Sequence, residues 1–279
     1  MKQNTSLAVI IPTFNRLKET RSIIQQLQKQ VYSNFLIIIC DSDSTDGTQS
    51  LNKEFPEIVL LNVGANKWWT GAVNAGVTYA QKIKTELVII LNDDLLVPIN
   101  LTERLLEYNQ SFPETLITCV QLELSGLIYA GSKFKGPFKQ RTNIRILPNK
   151  IENIDCSNGC CVLIPMKVFN MIGLIDEKIF PHVGGDLNIY LQSRKYGYNC
   201  IVVPDVLIKH TSYTDYSNKF PIRTILSHPG SAMHFKTYLY NGKALHNSWL
   251  NLFFFGIKSH FKYIKTLVKI LYDHVVRKV

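Results

Sequence analysis

No stretch of about 18 uncharged apolar residues occurs in the chain, so no membrane-spanning helix is expected. The longest candidate, Trp249–Ile257, has nine residues and includes Asn251. Near the amino end, the apolar run Leu7–Ile11 is five residues long and meets Pro12, too short for the apolar core of a secretory signal. The six cysteines (Cys40, Cys119, Cys156, Cys160, Cys161 and Cys200) lack the paired C-x-x-C spacing and nearby histidine of a zinc site. With no signal visible, reduced thiols are the expectation. There is no internal repeat and no low-complexity linker. Acidic residues are nearly missing from the carboxyl-terminal part. Residues 206–279 hold 11 Lys/Arg and 2 Asp/Glu, whereas residues 1–205 hold 20 and 19, so the net charge of +10 sits almost wholly in the tail. A basic tail suits anionic partners: a membrane surface, nucleic acid or a phosphate-bearing substrate.

What is present is ordinary for a folded protein: 46% hydrophobic and 19% charged residues exclude a disordered chain. Short apolar runs at Leu7–Ile11, Phe35–Cys40, Ile58–Leu61 and Leu87–Leu91 suit buried strands. Between them lie segments with helical spacing: Leu17, Ile24, Leu27 and Val31, then a helix ending near Phe55, then Gly71–Ile83. This alternation predicts an α/β fold with a Rossmann-like, mostly parallel sheet flanked by helices. In such sheets ligands bind beyond the carboxyl ends of the strands. The acidic clusters at 41–46 and 93–94 each follow a strand and should share one crevice. Further along, Leu116–Glu123, Leu127–Ala130 and Val162–Pro165 read as strands, Lys133–Arg145 as a basic loop and Asp186–Tyr196 as a helix. Ile201–Val203 and Val206–Ile208 read as two closing strands.

The acids carry the chemistry. A carboxylate can accept from a base N–H or ribose hydroxyls, and an adjacent one can hold Mg²⁺ or Mn²⁺ against phosphates. Asp46 suits a helix cap instead. For Asp93-Asp94 a purely structural role is costly, because neighbouring like charges repel unless a cation or ligand compensates them.

The blocks Val9-Ile10-Ile11-Pro12-Thr13-Phe14-Asn15-Arg16, Cys40-Asp41-Ser42-Asp43-Ser44-Thr45-Asp46-Gly47-Thr48 and Leu91-Asn92-Asp93-Asp94 resemble the signature segments of family 2 glycosyltransferases. The resemblance runs through about residue 210. It implies the GT-A fold, a nucleotide-sugar donor and inversion at the anomeric carbon. It assigns Asp41 to the nucleotide base, with Pro12, Thr13, Asn15 and Arg16 lining that pocket. It makes Asp93 and Asp94 the D-x-D element, Asp94 the more direct ligand of Mn²⁺ or Mg²⁺, and Asp93 a donor contact as well. The family usually has Gly where this chain has Asp43. In Asn66–Gly76 the helix start near Gly71 would face the diphosphate, beside Asn74. Members often carry Arg where Val73 stands, so the basic phosphate contact is lost or moved to Lys67. Trp68 and Trp69 suit stacking on a sugar or base, and equally a core or interface position. Ser157–Pro165 and His182–Asp186 resemble the segment whose second acid is the general base; that acid is Asp186, and Gly185 replaces the first. A helix N-cap is the alternative for Asp186. His210 resembles the histidine that completes some metal sites, and a structural histidine is the alternative.

In the tail, Ile257, Phe261, Ile264, Val268, Leu271 and Val275 define one helical face beside Lys258, Lys262, Lys265 and Lys269. Such a helix can lie on an anionic bilayer, with Trp249–Phe255 as its lead-in. The alternative is packing on the catalytic domain or on a second subunit, as in a homodimer. The expected organisation is a catalytic domain over residues 1–215 and a basic, aromatic helical extension over 216–279. The expected activity is transfer of a sugar from a UDP- or dTDP-sugar to a saccharide acceptor, lipid-linked in one reading, for cell-surface polysaccharide or lipopolysaccharide assembly. The expected location is cytoplasmic, peripheral on the inner face of the membrane. Three rivals remain. A sugar-phosphate nucleotidyltransferase needs a glycine-rich loop after the first strand, and Pro12–Arg16 contains no glycine. A nucleic-acid-binding protein fits the tail but not the near-neutral, acid-paired first 205 residues, so no nucleic-acid partner is expected. A catalytically inactive donor-binding module is suggested by the missing acid at Gly185.

Overall fold

The computed structural model describes residues 6–136, 140–145, 147, 149–212, 228 and 235–245. The apolar runs become the strands β1 (Leu7–Thr13), β2 (Leu36–Asp41), β3 (Val59–Asn62) and β4 (Leu87–Leu91). They pair in parallel in the order β4-β1-β2-β3. Their side chains alternate between two cores. Ala8, Ile10, Ile38, Cys40, Val88 and Ile90 face one side, and Leu7, Val9, Ile11, Ile37, Ile39, Ile89 and Leu91 the other. Burial on both faces explains why these strands read as continuous apolar runs.

One face is covered by α1 (Leu17–Gln28) and α4 (Leu101–Ser111), the other by α3 (Trp68–Lys82), α5 (Met166–Ile172) and α6 (Gly185–Lys195). The short α2 (Leu51–Glu54) follows β2. Helix α3 lies close against the sheet because Gly76 has no side chain: a Cβ there would stand 2.4 Å from Ile10 Cγ2 and 2.9 Å from Cys40 Sγ.

The sheet continues past β4 through β11 (Cys161–Pro165), β6 (Leu116–Leu122), β12 (Cys200–His210) and β10 (Glu152–Asn153). Strand β11 runs antiparallel to both β4 and β6, and β12 runs parallel to β6. The carboxyl ends of β1, β2, β4, β6 and β12 therefore share one edge of the sheet. Two small strands extend that edge: β5 (Leu95–Leu96) on β12 and β7 (Ile128–Tyr129) on β6.

Three features differ from the sequence reading. The two closing strands are one strand, β12, broken in register between Val203 and Leu207. Pro204 lies in that bulge, where its missing N–H costs no ladder bond. The basic stretch 133–145 is largely a hairpin, β8 (Ser132–Lys135) paired with β9 (Gln140–Asn143). Helix α3 starts three residues earlier than Gly71, on a Trp68 held at φ +52°.

All six cysteines are buried and free of disulfides. No helix among the described residues is long and apolar enough to cross a membrane. The amphipathic pattern at 257–275 and its lead-in Trp249–Phe255 lie outside the described residues. In the carboxyl-terminal part, α7 (Phe235–Leu245) packs on the segment before α6, where Thr237 Oγ1 donates to the Ile179 carbonyl at 2.9 Å.

Candidate active site

Strand β4 delivers Asn92, Asp93 and Asp94 to the shared edge. Asp93 is only 5% exposed. Its Oδ2 lies 3.0 Å from Thr13 Oγ1 and 3.2 Å from Thr20 Oγ1, and its Oδ1 pairs with Arg16 Nε at 3.0 Å. Burial pushes the Asp93 carboxyl up to about 7; the Arg16 charge opposes this rise, and the Asp94 charge adds to it. Both oxygens of Asp93 are thus engaged by the protein. Asp94 differs. Its Oδ2 is 3.4 Å from Arg16 Nη2, whereas its buried Oδ1 has no hydrogen-bond partner among the described residues. The Asp94 carbonyl accepts from Thr211 N at 2.9 Å, and Leu95 pairs with His210 across β5 and β12. His210 Nε2 is also buried without a hydrogen bond among the described residues; Glu123 Oε1 is 3.9 Å away.

Asp94 Oδ1 and His210 Nε2 are therefore donors of the right chemistry, an anionic oxygen and an imidazole nitrogen, on adjoining strand ends. Their chemistry suits a divalent cation; both Asp93 oxygens already have protein partners, which suits a supporting role. Among the described residues no three His, Cys, Asp or Glu side chains form a ready-made metal cluster. The remainder of a coordination shell would have to come from the ligand and water.

Asp186 lies half-buried in the first turn of α6, whose N-cap is Gly184 rather than Asp186. Its carboxylate accepts from Leu187 N at 2.7 Å and Gly159 N at 3.2 Å. Burial raises its pKa from the ordinary Asp value, against the pull of the Leu187 amide, Arg141 and the Gly159 amide. The loop carrying Gly159 is held by a reciprocal amide pair between Gln121 and Asn158, 2.6 Å in both directions.

Trp69 joins the two acid centres. Its indole N–H donates to Asn92 Oδ1 at 3.1 Å, and its ring lies against Gly159 and Gly185. A Cβ on Gly159 would stand 2.5 Å from Trp69 Cζ2; one on Gly185 would stand 2.3 Å from Thr70 Oγ1. A side chain at position 185 would need Thr70 to move. Trp68 points elsewhere, 5.8 Å from the His182 ring and 5.4 Å from the His228 ring. Burial, with the His228 charge, pushes His182 down to about 4.

Asp41, Asn15 and their loops are latched to one another. Asp41 is fully buried, and its carboxylate accepts from Ser44 N at 3.1 and 3.3 Å and from Ser44 Oγ. Asn15 N donates to Ser44 Oγ at 2.8 Å, and Asn15 Oδ1 accepts from Thr45 N at 2.8 Å. Asp46 accepts from Leu17 N at 2.8 Å and Thr48 N at 3.1 Å, capping the start of α1 from another loop. Asp43 adopts φ +67°, so the left-handed turn that suits glycine is kept here by an aspartate. Pro12 sits inside β1 opposite Cys40. Phe14 is 55% exposed at the lip.

Lys67, Gly71 and Asn74 line an open groove of about 710 Å³ with Asn62 and Glu177. Lys67 Nζ pairs with Glu177 Oε1 at 2.7 Å. The Asn74 amide is spent on the Ile175 backbone, donating to its carbonyl at 2.8 Å and accepting from its N–H at 3.1 Å. The structure therefore gathers Thr13, Arg16, Asp93 and Asp94 into one cluster, places His210 at the adjoining strand end, links Trp69 to Asp186, and sets Asn15 with Asp41 and Lys67 with Asn74 in separate groups. Thr20, Ser44, Asn92 and Arg141 were not singled out by motif. Ser44 and Asn92 lie within the signature blocks, which is the signal that could have marked them.

A curated relative from Rickettsia typhi, an uncharacterized glycosyltransferase, is 27% identical over 187 residues, 64% of this chain and 57% of that protein. The chain thus spans 57% of the length of the relatives from Rickettsia typhi and Rickettsia prowazekii. The Escherichia coli protein UDP-Glc:alpha-D-GlcNAc-diphosphoundecaprenol beta-1,3-glucosyltransferase WfgD is 33% identical over 76 residues, 26% of this chain and 30% of that protein. Among solved structures, GalNAc-T7 with UDP, GalNAc and Mn²⁺ superposes with a TM-score of 0.62 at 13% identity, covering 77% of this chain and 45% of that one. The S. aureus TarS 1–349 complex with UDP gives 0.57 at 14% identity, covering 73% and 60%. The fold is that of the GT-A glycosyltransferases. The model of Glycosyl transferase family 2 matches residues 8–170, more than half of the sequence, and the chain belongs to that family.

Proposed function

We propose that this glycosyltransferase moves a sugar from a UDP- or dTDP-sugar to a saccharide hydroxyl with inversion, and that Asp186 is the base. The observation that carries the reading is the Trp69 bridge. One indole touches Gly159, whose amide orients Asp186, and also hydrogen-bonds Asn92, next to the Asp93–Asp94 pair. This bridge ties the base to the strand end that carries the acid pair, which supports a shared role.

In this mechanism Asp186 accepts the proton of the acceptor hydroxyl as that oxygen attacks the anomeric carbon and the nucleoside diphosphate departs. Its raised pKa suits the task, because a stronger base takes the proton more readily. Asp94 and His210 would hold Mn²⁺ or Mg²⁺, which supplies charge compensation for the leaving diphosphate. Thr13, Thr20 and Arg16 fix Asp93, and Asp93 in turn orients the strand end carrying Asp94. Asp41 and its Ser44 latch shape the base pocket, and Lys67 stands near the start of α3 as a phosphate contact.

The domain division at about residue 215 and a peripheral position on the inner, cytoplasmic face of the membrane belong to the same proposal. The tail's excess of positive charge supports them, as does the E. coli relative, whose name specifies a diphosphoundecaprenol-linked acceptor. Cell-surface polysaccharide or lipopolysaccharide assembly is the setting this favours.

A donor screen tests the reading. Protein is mixed with UDP-, dTDP- and GDP-sugars with and without Mn²⁺, and nucleoside diphosphate release is followed. The expected result is release from one pyrimidine donor, dependent on Mn²⁺ and lost in Asp186→Asn while donor binding persists. Absence of any nucleotide-dependent rise in thermal stability, with metal present, would refute it.

A further inference from the structure

Two neighbouring carboxylates at a strand end need a compensating positive charge. Here Arg16 provides it. Its Nε is 3.0 Å from Asp93 Oδ1, its Nη2 is 3.4 Å from Asp94 Oδ2, and Nη2 also donates to Ser212 Oγ at 2.8 Å. The two ends of the contact are unequal. On Asp93 it is short and completes a set that already contains Thr13 and Thr20. On Asp94 it is long, shared with Ser212, and leaves Oδ1 without a hydrogen-bond partner.

We propose that Arg16 is a positioning residue that makes cation loading depend on the donor: it repels a lone divalent ion from Asp94 and attracts the donor's diphosphate, so that cation and nucleotide bind as a pair. The inference rests on the reading of Asp94 as a cation ligand. The physical basis is charge. With Arg16 in place, its guanidinium offsets one of the two carboxylate charges it contacts, so Asp93 and Asp94 offer a free dication less attraction than an uncompensated acid pair would. A diphosphate brings its own negative charge, satisfies the guanidinium bidentately and releases Asp94. Thermodynamic reciprocity then requires nucleotide and cation to tighten one another by the same factor.

The test is titration of the full chain with Mn²⁺, followed by electron paramagnetic resonance of the free ion, with and without saturating UDP. The wild type is expected to bind Mn²⁺ weakly alone and at least tenfold more tightly with UDP. Arg16→Gln should bind Mn²⁺ alone at least tenfold more tightly than the wild type, and the enhancement by UDP should shrink. Arg16→Lys, which keeps the charge, should stay near the wild type. Circular dichroism and the melting temperature without metal establish that each variant is folded. Mn²⁺ binding in folded Arg16→Gln equal to or weaker than the wild type would overturn the inference and leave the cation site standing. So would wild-type Mn²⁺ affinity that UDP does not change, a result that needs no variant. Failure of every form to bind Mn²⁺ in either condition would overturn the cation reading and this inference together.

Discussion

Gly185 and Thr70 approach so closely that a Cβ on Gly185 would lie 2.3 Å from Thr70 Oγ1, with Trp69 Cζ3 at 3.5 Å. A side chain at position 185 would therefore require Thr70 to shift, and Asp186 has Trp69 close by, against Gly159. Gly185→Ala is expected to destabilise the fold by about 1–3 kcal/mol through overpacking. Thermal unfolding measures this; an unchanged melting temperature would show that the α3 start yields easily.

Asp186 carries a pKa raised by burial. Its activity as a base should then fall, as pH drops, with an apparent pKa above the ordinary Asp value of about 3.9. Asp186→Asn should remove turnover together with this acid limb. The stability sign is opposite. A group whose folded pKa is raised stabilises below its unfolded pKa and loses that contribution as pH rises through the folded value. The melting temperature of Asp186→Asn relative to the wild type should therefore climb as pH rises above the ordinary Asp value of about 3.9. A difference that stays flat with pH would contradict a buried, raised Asp186.

Asp94 and His210 each present a buried polar atom with no hydrogen bond among the described residues. Addition of Mn²⁺ with UDP should raise the melting temperature of the wild type, since a ligand bound only by the folded state stabilises by mass action. Asp94→Asn should abolish the Mn²⁺-dependent part of that shift, and His210→Ala should reduce it. Chelation with EDTA should return the wild type to the UDP-only value. A full Mn²⁺ response in Asp94→Asn would remove that residue from the cation site.

Asp43 holds φ +67° in the loop that latches Asn15 and Asp41. Asp43→Gly should sit within about 1 kcal/mol of the wild type, because relief of the left-handed conformation offsets the greater freedom of glycine in the unfolded chain. Asp43→Val should cost about 1–3 kcal/mol, since a β-branched residue is strained at that angle. Chemical denaturation of the two variants compares them directly; a Val variant as stable as the Gly variant would show that the loop relaxes.

The strands of the parallel half were legible because each is buried on both faces and so reads as a short, unbroken apolar run. Placing Asp41 and Asp93 on one edge followed from the direction of those strands. Side-chain partnerships were not legible. Nothing local says that Thr20 reaches Asp93, 73 residues away, or that the Arg16 guanidinium spans both acids and Ser212. The hairpin at 132–143 was read as a loop because its basic residues hide the alternation around Phe134, which is partly buried. Helix α3 begins at Trp68 in a left-handed conformation, which no helix propensity anticipates.

The six cysteines have a kinetic consequence. Cys40, Cys119, Cys156, Cys160, Cys161 and Cys200 are spread over β2, β6, β11, β12 and the segment before β11, and every one is buried. Burial raises Cys156 to about 11 and pushes Cys40, Cys160 and Cys200 upward as well, and a hydrogen bond with Cys161, together with burial, does the same for Cys119, so these thiols are protonated and shielded in the native state. A thiol reagent can reach them only through openings of the sheet. Labelling rates would then act as clocks for those openings, with Cys40 timing the parallel half and Cys200 the far edge, and no reporter group would have to be engineered.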